Sequence, residues 1–472
     1  MSAGPASIAV AEDLDGLRSL LAREPGLREL GLGGVVIAPG AIARVPAICV
    51  ELAGDGGRVA MICDRREMAG PRGEVKASLL AALVAAGLDA HRVLVGDDDS
   101  RTHADADTVE GAADGCREAT ALVSVGSGTV ADVGKAVSAQ LDGRPHVVVQ
   151  TAASVNGFAD DMSVLLRDGV KRTTPTRWPA RLVIDTEVVA RAPAELNRAG
   201  LGDLLAGYTA PADWLLAGLV GQDDSYCETV VQLARAHVDP VLEVAAGIGG
   251  GEPAAIGPLS AGLTLSGISM GVAGATAPGS GMEHTVSHLL EMAHDPSAPE
   301  AWHGAKVGAL SVLASLLWTR MRAAVRAGAL QELRFPSSEE MHDRVLAAFA
   351  RLDGSGAMGK ECWRDYSAKL ERWLGSRDQL RSLPERWPAF DARLDGLLAP
   401  ATRLADALRA AGAPLRLGEL GIDDETGRWA LANCHLMRDR FTVADLAFLT
   451  GRWEESDVRE LLDEAATIGA GS

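Results

Sequence analysis

Six short apolar, β-branched runs, "GGVVIAP", "RVAMICD", "RVLVGD", "ALVSVG", "HVVVQT" and "RLVIDT", punctuate residues 33–185. Helix-like stretches such as "EVKASLLAALVAAG" and "TVADVGKAVSAQ" separate them, and no other feature restricts the fold as strongly. Short apolar runs set between helices belong to a parallel sheet covered on both faces, since strands buried on both sides need no polar alternation. Beyond about residue 186 such runs stop. The remainder is Ala- and Leu-rich with helical spacing, as in "ALSVLASLLWTRMRAAVRAGAL", and is broken by Gly and Pro. The layout expected is an α/β domain over 1–190 followed by an all-helical domain over 191–472, the boundary falling at "APAEL", where Pro193 suits a helix start. "GIGGGEPAAIG" reads as a turn between helices, the charged, Trp-bearing segment 333–400 reads as exposed helices, and nothing repeats at a fixed period.

Composition removes several function classes. The 472 residues are 47% apolar, which describes a globular chain, and no apolar run reaches membrane-spanning length free of charge or frequent Gly. A formal charge of −19 disfavours nucleic acid and anionic membranes as partners, while a small anionic substrate can still be met by local basic groups. Cys49, Cys63, Cys116, Cys227, Cys362 and Cys434 are scattered without a CxxC pair, which argues for a reducing cytoplasm and against a disulfide framework or thiolate metal site. "MSAGPASIAVAEDLDGL" has no basic segment leading into an apolar core, so no secretion leader is expected.

The stretch "ALVSVGSGTVADVGKAV" reads as a strand, a turn with Gly126, Ser127 and Gly128, and a helix opened by Thr129. Two glycines let a backbone approach an anion, and a helix start favours a phosphate there. Thr129 and Asp132 have the spacing of a capping box. A tight strand-to-helix turn that binds nothing has the same pattern, and the third glycine of GxGxxG is missing. Upstream, Asp64 closes "RVAMICD", a place where an acidic residue bonds a ribose 2′-OH, but Arg65 and Arg66 follow and suit a 2′-phosphate, so NAD and NADP both stay open.

Four of the ten histidines, His284, His288, His294 and His303, crowd into "GMEHTVSHLLEMAH" and "AWHGAKVG". His284 and His288, four apart, share a helix face. HxxxH alone is a weak metal signal, and Asp203 in "GLGDLLAGYTAPADW" could equally be a helix N-cap.

These segments resemble the sn-glycerol-1-phosphate dehydrogenase family, within the group that includes glycerol dehydrogenase, iron-containing alcohol dehydrogenases and 3-dehydroquinate synthase. The matching stretches are "VSVGSGTVADVGK", "TAASVNGFADD", "GVKRTTP", "GLGDLLAGYTAPADW", "SGMEHTVSHLLEM" and "WHGAKVG", with "AGAPLRLGELGI" and "HLMRDRFTVADL" similar to the bacterial branch. The resemblance implies a Rossmann-like nucleotide domain followed by an all-α metal-binding domain of the dehydroquinate synthase-like kind. It implies a divalent metal (Zn, Ni or Fe) on Asp203, His284 and His303, with His288 either supporting those ligands or beside the substrate, a fourth-ligand role being the lesser option, and with no metal role for His294. Pyrophosphate contact falls to Gly126, Ser127, Gly128 and Thr129, and Thr151 and Ser154 line the nicotinamide side. The reaction implied is reversible hydride transfer from NADH or NADPH to a ketone, dihydroxyacetone phosphate giving sn-glycerol 1-phosphate, in a cytoplasmic homodimer. Three positions depart from the family: Asn156 stands where an Asp is usual, Asp160 where a Ser is common, and Gly207 where bacterial members often carry Lys. Lys171, Arg172 or Arg440 could supply the missing cation for a phosphorylated substrate. Another hydroxy compound as substrate, or a descendant that binds nucleotide without turnover, is the alternative those departures raise.

Overall fold

A computed structural model describes residues 14–96, 102–167, 170–295 and 298–468, the side chains of residues 167, 170 and 171 excepted. The start of the chain examined for a leader, and the side chain of Lys171, therefore lie outside the described residues. Each of the six apolar runs is a strand: β1 Val35–Ala38, β2 Arg58–Asp64, β3 Asp89–Val95, β4 Ala121–Gly126, β5 His146–Gln150 and β6 Arg181–Asp185. They form one parallel sheet in the order β1-β6-β5-β4-β2-β3.

Alternate strand residues feed opposite cores, as a period of two requires. Val59, Met61, Cys63, Val123, Val125, Val147 and Val149 pack on one face with helices α1 (Val45–Ala53) and α2 (Val75–Ala85). Ala60, Ile62 and Leu122 pack on the other with α3 (Ala106–Cys116) and α4 (Gly128–Gln140). Both faces of the central strands β2, β4 and β5 are buried, which is why those strands read as unbroken apolar runs.

Two antiparallel hairpins had no counterpart in the sequence reading, Ala69–Gly70 with Gly73–Glu74 and Met162–Arg167 with Val170–Pro175. The first is too short to show a period, and the second mixes polar and apolar residues, so neither stands out against a loop.

After β6 the described chain is helical, including α5 (Ala194–Leu205), α6 (Pro253–Ala273), α7 (Met282–Met292) and α8 (His303–Arg326). Of these, α6 is long and apolar enough to cross a membrane, but 83% of its apolar 18-residue stretch is buried inside the fold, where its composition suits a core helix. The chain forms two compact units: Met1–Leu204 with Thr229–Thr276 and Ala410–Gly412, and Leu205–Glu228 with Ala277–Arg409 and Ala413–Ser472. Segment 333–400 is helical as expected, but most of its aromatic residues are not surface groups. Tyr366, Trp373, Trp387 and Phe390 are buried, and Trp373 packs edge-on against Phe441 at 5.8 Å. Tyr366 and Trp373 are seven residues apart and Trp387 and Phe390 three, which places each pair on an inward stripe; most charges mark the outer faces, but Lys369 is buried among the rings.

Candidate active site

The nucleotide half is set by topology. Strands β2 and β4 are neighbours, with Cys63 opposite Val125 and Gly126 opposite Gln150 of β5. The chain leaves β2 toward α2 on one face and β4 toward α4 on the other. The connections diverge there, which opens a crevice at the carboxyl ends of the two strands, the place where α/β sheets take ligands. Asp64 and Gly126 are the residues at those two ends.

Gly126 turns tightly into α4, since a Cβ there would stand 2.6 Å from the Val130 side chain. The helix begins at Gly128 with Ser127 as an N-cap in extended conformation and no capping side chain. This corrects the capping box expected of Thr129 and Asp132. Thr129 already lies in the first turn, and Asp132 faces Lys135 at 3.2 Å instead. Thr151 is joined to the loop by its N–H, which donates to the Gly126 carbonyl at 3.1 Å, and Ser154 is buried shortly after. Asp64 is already engaged, because its carboxylate accepts from the buried Lys76 ammonium, while Arg65 Nε donates to the Gly96 carbonyl at 3.2 Å.

One face of α5 holds the loop that follows β5. Asn197, Gly200 and Asp203 recur every three residues, so they share that face. Asn197 Oδ1 accepts from Ala153 N at 2.9 Å, and Asp203 Oδ2 accepts from Asn156 N at 2.9 Å. Between them a Cβ on Gly200 would fall 1.8 Å from the Ala153 carbonyl oxygen, so only glycine permits this approach. Asp203 therefore sits near the end of its helix and is not the N-cap that the sequence also allowed. Asn156 adds a side-chain bond of its own, Nδ2 donating to Ser266 Oγ at 3.1 Å.

From the other side Lys135 grips the same loop. Its fully buried ammonium donates to Asp160 Oδ1 at 2.6 Å, to the Gly157 carbonyl at 2.7 Å and to the Met162 carbonyl. Burial alone would lower this ammonium, but Asp160 and Asp132 outweigh it and raise it, while burial pushes the Asp132 carboxyl up to about 6.

The histidines converge within the second compact unit. His284 and His288 lie on α7, and His303 opens α8. Their ring centroids are 5.2 Å apart for His284 and His303, 5.2 Å for His288 and His303, and 6.4 Å for His284 and His288. His294 falls just beyond α7. Two buried carboxylates, absent from the sequence reading, orient the rings. His284 Nδ1 donates to Glu283 Oε1 at 3.1 Å, and His303 Nδ1 donates to Glu291 Oε1 at 2.8 Å. Thr209 Oγ1 donates to Glu283 Oε2 at 2.8 Å, and Lys306 Nζ lies 3.1 Å from Glu291 Oε1.

Burial would raise both carboxyls. The partners prevail, holding Glu283 below the usual range through His284 and the Gly281 N–H, and Glu291 well below it through His303, His288 and Lys306. His288 is driven well down by burial and then by the Arg438 charge. Ligand atoms of His288, Glu291 and His303 lie within 4.8 Å of one another. Gly207 is buried in a 3-10 turn, and Arg440 donates through Nη1 to Ser280 Oγ at 2.7 Å, next to the start of α7. The visible signal for Glu283 and Glu291 was their spacing in "MEHTVSHLLEM": each sits one or three residues from a histidine, but which ring it serves depends on the fold.

Comparison with known proteins settles the family. Residues 36–193 match the family described as iron-containing alcohol dehydrogenase. A glycerol-1-phosphate dehydrogenase [NAD(P)+] of Methanothrix thermoacetophila is 34% identical over 258 residues, 54% of this chain and 69% of that one. The chain belongs to the glycerol-1-phosphate dehydrogenase family. The enzyme of that name from Bacillus licheniformis is 29% identical over 326 residues, covering 69% of this chain and 67% of its own. Among solved structures, a probable glycerol dehydrogenase from Sinorhizobium meliloti overlays with a TM-score of 0.57 at 18% identity, over 93% of this chain and 98% of the other, and shares the fold. As a member of this family within the iron-containing alcohol dehydrogenases, the protein is an NAD(P)-dependent oxidoreductase.

Proposed function

We propose that this enzyme interconverts dihydroxyacetone phosphate and sn-glycerol 1-phosphate, with NADH or NADPH as hydride carrier and a divalent metal on Asp203, His284 and His303. The observation that carries the metal reading is the orientation of the two histidines. Each commits Nδ1 to its own buried carboxylate, Glu283 or Glu291, which makes Nε2 the ligating nitrogen of both rings. Such a donor set of one carboxylate and two imidazoles suits zinc, nickel or iron. When bound, the ion supplies a Lewis acid for the ketone carbonyl.

The chain's own residues do the rest. Asn156 N–H holds one oxygen of Asp203 and so orients the carboxylate. The Gly126–Thr129 turn and the start of α4 present backbone N–H groups suited to the pyrophosphate of the nucleotide. Thr151 and Ser154, buried after β5, keep water from the nicotinamide side. His288 is kept neutral by burial and lies beside the two ligating rings, where it can accept or donate a proton at the substrate hydroxyl. Six free cysteines, five of them buried, fit a reducing compartment, and we place the enzyme in the cytoplasm as a homodimer on family grounds.

The test follows the loss of NADH or NADPH absorbance with dihydroxyacetone phosphate after purification with zinc or nickel. Chelator-sensitive turnover, abolished in His284→Ala, supports the assignment, and the faster coenzyme names the partner of Asp64 and its arginines. A protein that binds metal and nucleotide but leaves this ketone untouched points to another hydroxy compound, a reading favoured by the uncharged Gly207 and Asn156. A protein that turns over no ketone at all would be a nucleotide-binding descendant.

A further inference from the structure

Lys135 is placed to act at a distance. It sits two turns into α4, the helix that follows the glycine turn, and is 0% exposed. Its ammonium is ringed by Asp160 Oδ1 at 2.6 Å, Asp132 Oδ1 at 3.2 Å and the carbonyls of Gly157 and Met162. Three of these four acceptors belong to the segment 157–162. A buried ammonium has three protons to place, and leaving any of them unpaired costs more than the bond itself contributes, so the segment is held firmly. Immediately before that segment stands Asn156, whose backbone N–H donates to Asp203 Oδ2 at 2.9 Å. On its other side the loop is pinned by Asn197 and by the close approach at Gly200. The peptide that touches Asp203 is thus fixed between α5 and the Lys135 ammonium.

We propose that Lys135, with Asp160, is a positioning residue for Asp203: it holds the 156–162 loop so that the Asn156 N–H keeps the Asp203 carboxylate turned for metal binding. The proposal rests on the reading that Asp203 is a metal ligand. It assigns to a lysine on the nucleotide helix an effect on metal affinity, which a lysine serving only that helix would not have. The helix itself is anchored by Val130, Val133 and Val137, all buried, so releasing the ammonium should leave the glycine turn in place.

The experiment uses the full chain stripped of metal. Lys135→Met alone leaves two uncompensated acids and risks misfolding, so it is paired with Lys135→Met/Asp132→Asn/Asp160→Asn, which removes every charge in the cluster. Zinc affinity is measured by competition with a chromogenic chelator, NADPH affinity by nicotinamide fluorescence, and folding by the thermal midpoint of the metal-free protein. Expected for the folded triple variant is a zinc affinity weaker by on the order of 10–100-fold, the usual effect of losing support behind a ligand, with NADPH affinity within about 2-fold of wild type. Unchanged zinc affinity in a folded triple variant overturns the proposal, and so does a loss of NADPH binding with zinc binding intact. Asp203→Ala is the control that separates the two readings: if it binds zinc as tightly as wild type, the metal assignment fails and this inference with it.

Discussion

At the scale of single residues the site is governed by who holds each polar atom. Glu291 accepts from His303 and faces both His288 and Lys306, so it orients rings and balances charge at once. Glu291→Gln keeps the shape but can accept through one oxygen only, and we expect zinc affinity to fall by roughly 10–100-fold, read by chelator competition. A variant that binds zinc as wild type does would remove Glu291 from the site. Asp64 presents a different case. It was singled out for a ribose, and the structure shows its carboxylate already paired with the buried Lys76. Asp64→Asn should therefore destabilise the fold by about 3 kcal/mol in urea unfolding, the cost of leaving a buried ammonium without its counter-ion. If instead stability holds and only the NADH-to-NADPH preference moves, the ribose role is the dominant one.

At the scale of elements, α5 shows how a spacing becomes a site. Asn197, Gly200 and Asp203 were all visible in "NRAGLGD", but the sequence offered no reason to read them together, because their common partner is a loop more than forty residues earlier in the chain. The capping box failed for a related reason: Thr129 and Asp132 have the right separation, but the tight turn at Gly126 starts the helix at Gly128, and a buried lysine competes for Asp132. Gly200→Ala places a methyl group on the Ala153 carbonyl, so α5 and the loop must separate. The expected cost is about 3 kcal/mol, at the upper end for overpacking, with metal retention reduced because Asn156 moves with Ala153. A thermal midpoint equal to wild type would show that the loop yields more easily than the geometry indicates.

At the scale of the whole molecule, pH should act through two buried histidines outside the His284, His288 and His303 group. Burial drives His146 down to about 3, aided by the Lys135 charge, and drives His435 well below its ordinary value, aided by Arg344 and Lys369. His435 stacks on Phe448 at 4.6 Å, and neither of its ring nitrogens has a hydrogen-bond partner among the described residues. Both rings stay neutral when folded but take up a proton when unfolded below about pH 6.5. The unfolded chain then binds more protons, so stability is full above that pH and falls as the pH drops, by up to about 1.4 kcal/mol per unit for each ring. Thermal midpoints at pH 7.5 and 5.5 test this, and His435→Leu should show the smaller drop; an equal drop would clear His435. The six strands, the change to an all-helical chain after β6 and the glycine turn were all legible in one dimension, because burial on two faces and helical spacing are local patterns. The histidine-rich stretch was legible too, and the family resemblance singled out His284 and His303 within it. What only the tertiary structure decided was the set of groups that hold those residues: Glu283 and Glu291 on the rings, Asn156 on Asp203, and Lys135 on the loop between. These are pairings between segments far apart in sequence or choices among several nearby acids, and a hydrogen bond is settled by distances of a few tenths of an ångström that no residue pattern encodes.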